Sequence, residues 1–259
     1  MNALPVLLYH HVGPVRPGTL PWLTVPASRF EAQMRRLRAR GWRAIGSDEA
    51  AAWLLDGRPL PGKAVMLTFD DAYADLADTV FPVLERAGFR ATVFVATAHI
   101  GGRNAWEAPA AQGHRVLDAA AVRRWSARGI EFGAHTRSHA SLGLLDRPAM
   151  EEEVLGGKRD LEDLLQAPVS SFAYPYGVAD PASATVVARA FLLAFTGREG
   201  LNRAGEDPHQ LRRTMVQAVD TPLDLHLRLR LGRSPVRLAR QRVGIARRRL
   251  RTQLSSSRA

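Results

Sequence analysis

Two adjacent carboxylates, Asp70 and Asp71, follow the strand-like run Ala64–Phe69, and the chain later carries His135-Thr-Arg-Ser-His139. Imidazole is the commonest metal ligand, and two imidazoles with one carboxylate can hold a divalent cation. The second carboxylate is then free to activate water. This chemistry is that of a metal-dependent hydrolase. The same residue types have plainer uses: an Asp pair can cap the next helix, and histidines at i and i+4 can share a turn or one helical face.

The elements that must position these groups alternate along the chain. Apolar runs at Leu4–Tyr9, Trp42–Ile45, Ala64–Phe69, Phe89–Ala96, Ile130–Gly133, Val169–Ala173, Phe191–Ala194 and Leu211–Val216 read as strands. Between them the pattern predicts helices from Ser28, which with Glu31 fits a capping box, and from Ser47. Further helices are expected at Asp75–Ala87 (with Pro82 a kink), Ala119–Ala127, Ala149–Leu165, Ala182–Ala190 and Leu223–Leu231. Residues 97–117 lack periodicity and read as a long loop near the site. Repeated strand-then-helix order argues an α/β fold with a parallel sheet, open or closed as a barrel, and chemistry beyond the strand C-termini.

Composition bounds the function. The 259 residues are 46% apolar and 24% charged and contain no cysteine, which excludes disulfides and thiolate chemistry. There is no signal-peptide pattern and no apolar run of membrane-spanning length, which points to a cytoplasmic protein. The net charge of +11 is uneven. Residues 228–259 hold eleven arginines and no acidic residue, so 1–227 carries 25 basic and 25 acidic groups. The domain expectation is a catalytic body at 1–232 and an arginine-rich amphipathic helix or tail at 233–259. Such a tail suits an anionic membrane surface at the inner face or a membrane-bound glycan synthesis partner. Packing on the body is the plainer use, and nucleic acid is the weakest partner because the body is neutral.

Thr68-Phe-Asp-Asp71, His135-Thr-Arg-Ser-His139 and Tyr174-Pro-Tyr-Gly177, in this order, closely resemble the three motifs of the polysaccharide deacetylase (NodB-homology) family. The resemblance runs from about Pro5 to about Val216. It implies a distorted (β/α) barrel of about seven strands, short of the usual eight, and metal-dependent deacetylation of a sugar. It also implies Asp71, His135 and His139 as metal ligands and Asp70 as general base. The metal is Zn²⁺ by expectation, with Co²⁺ and Ni²⁺ suited to the same ligands. Tyr176 would border the acetyl pocket and offer its backbone N–H to the oxyanion.

Two departures point to one branch of the family. Ala173 stands where many members have an arginine, and the usual late leucine-x-histidine has no match. The chain instead looks like the branch acting on β-1,6-linked poly-N-acetylglucosamine. There Tyr9-His10-His11 would supply the general acid, His10, and Leu211-Arg-Arg213 an arginine, Arg213, beside Asp70. His11 then reads as a supporting or structural residue. Trp106 is either a sugar platform or a packed loop anchor. A deformylase or other amide hydrolase on the same scaffold is the nearest alternative function, and a non-catalytic carbohydrate-binding protein is the next.

Overall fold

The first sheet strand, Val6–Tyr9 (β1), is fully buried, and Pro5 separates it from Ala3–Leu4, which pairs antiparallel with Asn202–Arg203. The computed structural model describes residues 3–14, 20, 22–107, 109–237 and 239. The other parallel strands are Trp42–Ile45 (β2), Lys63–Phe69 (β3), Ala91–Val95 (β4), Ile130–Ala134 (β5), Ser171–Ala173 (β6), Leu193–Phe195 (β7) and Thr214–Met215 (β8).

Among the described residues, seven parallel strands follow one another in the order β7-β6-β5-β4-β3-β1-β8, and β2 joins the N-terminal half of β3. Leu211, three residues before β8, bridges back to Phe195 at the end of β7. The sheet therefore curls until its two ends share one segment. This is the distorted α/β barrel that the motifs imply. Its strands are nearly continuous apolar runs because helices cover the sheet.

Several helices differ from their sequence patterns. Helix Ala27–Ala39 (α1) starts two residues after Val25, behind Pro26, with no side-chain cap; the expected Ser28 box does not form. Ser47 is likewise the first residue of Ser47–Asp56 (α2) rather than its cap, and its backbone N–H donates to Glu131 at 2.9 Å. The pattern over 75–87 splits at Val80 into Leu76–Thr79 (α3) and Phe81–Ala87 (α4). Pro82 opens the second helix, where its missing N–H costs nothing, instead of kinking one long helix. Ala119–Ser126 (α5) is capped by Asp118.

The stretch read as one helix at 149–165 is Arg147–Glu151 (α6), a π-helical turn Glu152–Gly156, and Gly157–Leu165 (α7). Pro181–Ala188 (α8) and Pro222–Leu231 (α9) complete the set used below. The amphipathic pattern of the arginine-rich segment 233–259 lies almost wholly outside the described residues. No described helix is long and apolar enough to cross a membrane.

Candidate metal centre and active site

Strand β3 delivers the Asp pair. The Asp70 backbone N–H donates to the Tyr9 carbonyl at 3.0 Å, which keeps β1 and β3 in register up to the site. The chain then turns left-handed: Asp71 has φ +71° and Ala72 φ +49°. That turn gives the two neighbouring carboxylates different partners. Asp70 accepts both arms of the Arg213 guanidinium, at 2.6 and 2.8 Å. Asp71 faces the imidazoles, with its Oδ1 3.2 Å from His139 Nε2 and 3.7 Å from His135 Nε2.

The segment after β5 carries both histidines. His135 Nδ1 lies 2.6 Å from the Ala173 carbonyl, so this nitrogen holds the proton and donates, and Nε2 keeps its lone pair toward Asp71. Burial lowers His135 to about 4 against the pull of Asp70 and Asp71, so the ring is neutral near pH 7. His139 stands with its ring edge-on to His135, centroids 4.7 Å apart.

The π-helical turn braces this segment. Glu153, within it, accepts the backbone N–H groups of Arg137 and Ser138, each at 2.9 Å, and the Ser138 hydroxyl. Gly157 passes so close beneath Thr136 that an added Cβ would meet its carbonyl at 2.9 Å. A π turn at such a place re-aims one side chain without breaking the helix.

The ligand atoms of Asp71, His135 and His139 lie within 4.8 Å of one another, and all three residues are buried. Asp71 Oδ1 is shielded from solvent and has no hydrogen-bond partner among the described residues. Burial acts to raise the Asp71 carboxyl, and His139, His10 and His135 together outweigh it, holding the group below the ordinary carboxylate range. An ionised carboxylate oxygen converging with two imidazole nitrogens fits a divalent cation.

Asp70 is ionised for a different reason. Burial alone would raise it, but the Arg213 charge and then His135 bring it below its ordinary value. Arg213 is itself 1% exposed, donates Nε–H to the Thr196 carbonyl at 3.0 Å and sits over the Phe94 ring.

His10, one residue beyond β1, lies within the field of Asp71, Asp70 and Arg213. Its Nδ1 is shielded and has no hydrogen-bond partner among the described residues. Burial lowers its pKa, and the two carboxylates oppose that shift. His11 points elsewhere: it meets Asp75 Oδ2 at 3.1 Å and stacks on Tyr73 at 3.6 Å. Tyr176, 57% exposed, takes φ +58° and sets its ring edge-on to His139 at 4.8 Å. Its turn is fixed by Gly177, where an added Cβ would stand 2.5 Å from Gly197.

Trp106 packs flat on His139 at 4.6 Å, so the irregular loop walls the site. That contact, the Ala173 carbonyl and the Glu153 brace carry no motif. Sequence pointed to the first by placing Trp106 in the unperiodic stretch 97–117, as a sugar platform or a packed loop anchor.

Among the described residues six non-glycine residues have positive φ, and five of them, Asp71, Ala72, Thr136, His139 and Tyr176, lie in these segments. Each such conformation costs on the order of 1–3 kcal/mol and persists where function over-determines it.

Residues 57–193 match the family model for polysaccharide deacetylase. The chain belongs to that family. YxkH of Bacillus subtilis, assigned as a polysaccharide deacetylase, is 27% identical over 174 residues, 67% of this chain and 57% of that protein. The poly-β-1,6-N-acetyl-D-glucosamine N-deacetylase of Staphylococcus aureus is 23% identical over 177 residues, covering 65% and 59%. IcaB from Ammonifex degensii has a similar structure, with TM-score 0.76 at 27% identity over 90% of this chain and 97% of that one. The chain spans between half and two thirds of the length of the two curated relatives. All three deacetylase motifs fall inside the family match; His10 and Arg213 fall outside it.

Proposed function

We propose that the protein is a metal-dependent hydrolase that removes acetyl groups from N-acetylated sugar residues of a glycan or lipid-linked saccharide. The observation that carries this reading is the division of the Asp pair. Asp71 is turned to two imidazoles, and Asp70, one residue away, is held ionised by Arg213. Sugar binding alone requires no such second carboxylate.

Asp71, His135 and His139 would hold the cation, of which Zn²⁺ is first choice and Co²⁺ and Ni²⁺ suit the same donors. When bound, it supplies Lewis-acid polarisation of the amide carbonyl and acidifies water. Asp70 accepts the proton of the attacking water, and its ionised state at neutral pH equips it to do so. The Tyr176 backbone N–H stands ready for the developing oxyanion. His10, protonated, donates to the nitrogen as the carbon–nitrogen bond breaks, and the amine and acetate leave. Because burial lowers His10 below the ordinary imidazole value, its acid form thins out already toward neutral pH and turnover should decline as pH rises further.

The β-1,6-linked N-acetylglucosamine polymer is the favoured substrate, supported by the Staphylococcus relative's printed activity and by His10 and Arg213 standing around the Asp pair. Cytoplasmic placement, with 233–259 docking on an anionic membrane or a glycan synthesis partner, belongs to the same reading; anionic-vesicle binding by the full chain tests it. The deciding experiment is acetate release from β-1,6 and β-1,4 N-acetylglucosamine oligomers by metal-reconstituted protein, with Asp70→Asn as control. Release by the parent and not by the variant is expected. No release from either linkage would overturn the reading.

A further inference from the structure

Against the stacked Tyr73–His11 pair opens a second cavity, of about 680 Å³, which the metal set does not line. Its walls come from α3, α5 and the loop at 103 and 113–118. The volume lies within the roughly 300–1,000 Å³ of sites that take small ligands, but those are usually apolar. This one is not. Three arginines, Arg103, Arg115 and Arg124, and three aspartates, Asp75, Asp78 and Asp118, line it.

Several of these groups have no structural task. Asp75 is engaged by His11, Asp118 caps α5, and Arg103 donates to the Gly113 carbonyl. Arg115, Arg124 and Asp78 are exposed and make no side-chain hydrogen bond or ion pair among the described residues.

The charge balance selects the ligand class. An anion such as a phosphate would meet the aspartates, and a cation would meet the arginines. A neutral polyhydroxyl ring can accept from guanidinium groups and donate to carboxylates at once. Continuity with the site is short: Tyr73 lines the cavity, its ring centroid lies 6.4 Å from that of Trp106, and Trp106 stacks on His139.

We infer that this cavity is a subsite for a neutral sugar residue of the substrate chain, one that flanks the residue losing its acetyl group. The inference rests on the deacetylase reading above. It assigns recognition of chain length to Arg124 and Asp78, which touch no residue of the metal centre.

The test uses Arg124→Ala and Asp78→Asn in the full chain. With metal-reconstituted protein, KM for an N-acetylglucosamine hexasaccharide should rise at least about fivefold in each variant. This corresponds to about 1 kcal/mol of lost binding. Metal content and turnover of the N-acetylglucosamine monosaccharide, which cannot reach a flanking subsite, should stay as in the parent. Equal losses on both lengths, or no loss on either, would overturn the subsite.

Calorimetric titration with the undeacetylated hexasaccharide, in an Asp70→Asn background that does not consume it, gives a second readout independent of turnover. Weaker binding in the cavity variants supports the subsite even if the parent releases no acetate. Unchanged binding rejects it even if the parent is an active deacetylase.

Discussion

Two arginine–aspartate pairs are buried in this molecule, and they are built almost alike. Arg213 grips Asp70 with both arms, and Arg228 grips Asp220 through Nε at 3.0 Å and Nη2 at 3.2 Å. Each arginine is 1% exposed. The difference lies in what remains on the carboxylate. Asp220 Oδ2 also accepts the Gln217 backbone N–H, its Oδ1 is approached by Arg237, and Arg228 reaches on to Glu199. Asp70 accepts from Arg213 alone among the described residues. A carboxylate oxygen has two lone pairs; among the described residues Asp220 accepts three hydrogen bonds and Asp70 two, so Asp70 keeps the larger acceptor capacity for water. Burial and charge pairing are common to both aspartates; open acceptor capacity beside the candidate metal set belongs to Asp70 alone of the two.

The sharpest way to break this contrast is to neutralise each aspartate in turn. Asp70→Asn should lower deacetylase turnover by about 10²–10⁴-fold while zinc content stays stoichiometric, measured by acetate release and metal analysis. Asp220→Asn should leave turnover of the folded fraction near the parent's. In both variants loss of one partner strands the other charge, a cost of roughly 3–5 kcal/mol by urea unfolding, so turnover per folded molecule is what separates the pairs. If both variants lose that turnover to the same degree, the two pairs are equivalent and the contrast fails.

A further large effect is expected at the cation set. His139→Ala should abolish stoichiometric metal and with it turnover, yet leave the Arg213–Asp70 pair and the fold in place by circular dichroism.

The pH dependence of stability sharpens the comparison more gently. The folded Asp70 pKa is depressed below its unfolded value. Its contribution is therefore present above about pH 4 and is lost as pH falls through the lower folded value. Metal-free Asp70→Asn should show a shallower acid-side loss of stability below about pH 4 than the parent. A parallel decline would mean that Arg213 does not set the charge state of Asp70.

The smallest expected effect is Gly232→Ala at the end of α9. An added Cβ there would meet the Gly200 backbone at 2.1 Å, and φ is +66°. A loss on the order of 1–3 kcal/mol is expected, with KM unchanged.

How much of this was readable from the chain follows the same division. Strand positions and the groups at their ends were legible because apolar runs and motif spacing are local. Asp70, Asp71, His135 and His139 needed no tertiary information, and Arg213 could be nominated only through the branch resemblance. What local pattern could not show is decided by contact across the fold. The 75–87 pattern hides the break at Val80, and the 149–165 pattern hides the π turn that sends Glu153 to the histidine loop.

Arg228 was counted with the basic tail, since an arginine's burial depends on partners such as Asp220 and Glu199 that sequence does not place beside it. The Ser28 capping box was misread because Pro26 starts the helix earlier. The second cavity was invisible for a plainer reason: its charged lining is scattered over three segments and resembles any solvated surface.

The seam of the curled sheet has a consequence for how the site comes into being. Every member of the cation set lies at or before residue 139, whereas Arg213 enters with the closing segment between β7 and β8. A chain emerging from the ribosome has all three cation donors well before it possesses the guanidinium that keeps Asp70 charged. Completion of the barrel, and not arrival of the candidate ligands, is the event that fixes the charge on Asp70. Any lesion that loosens the last strand should therefore yield a metal-loaded but idle protein.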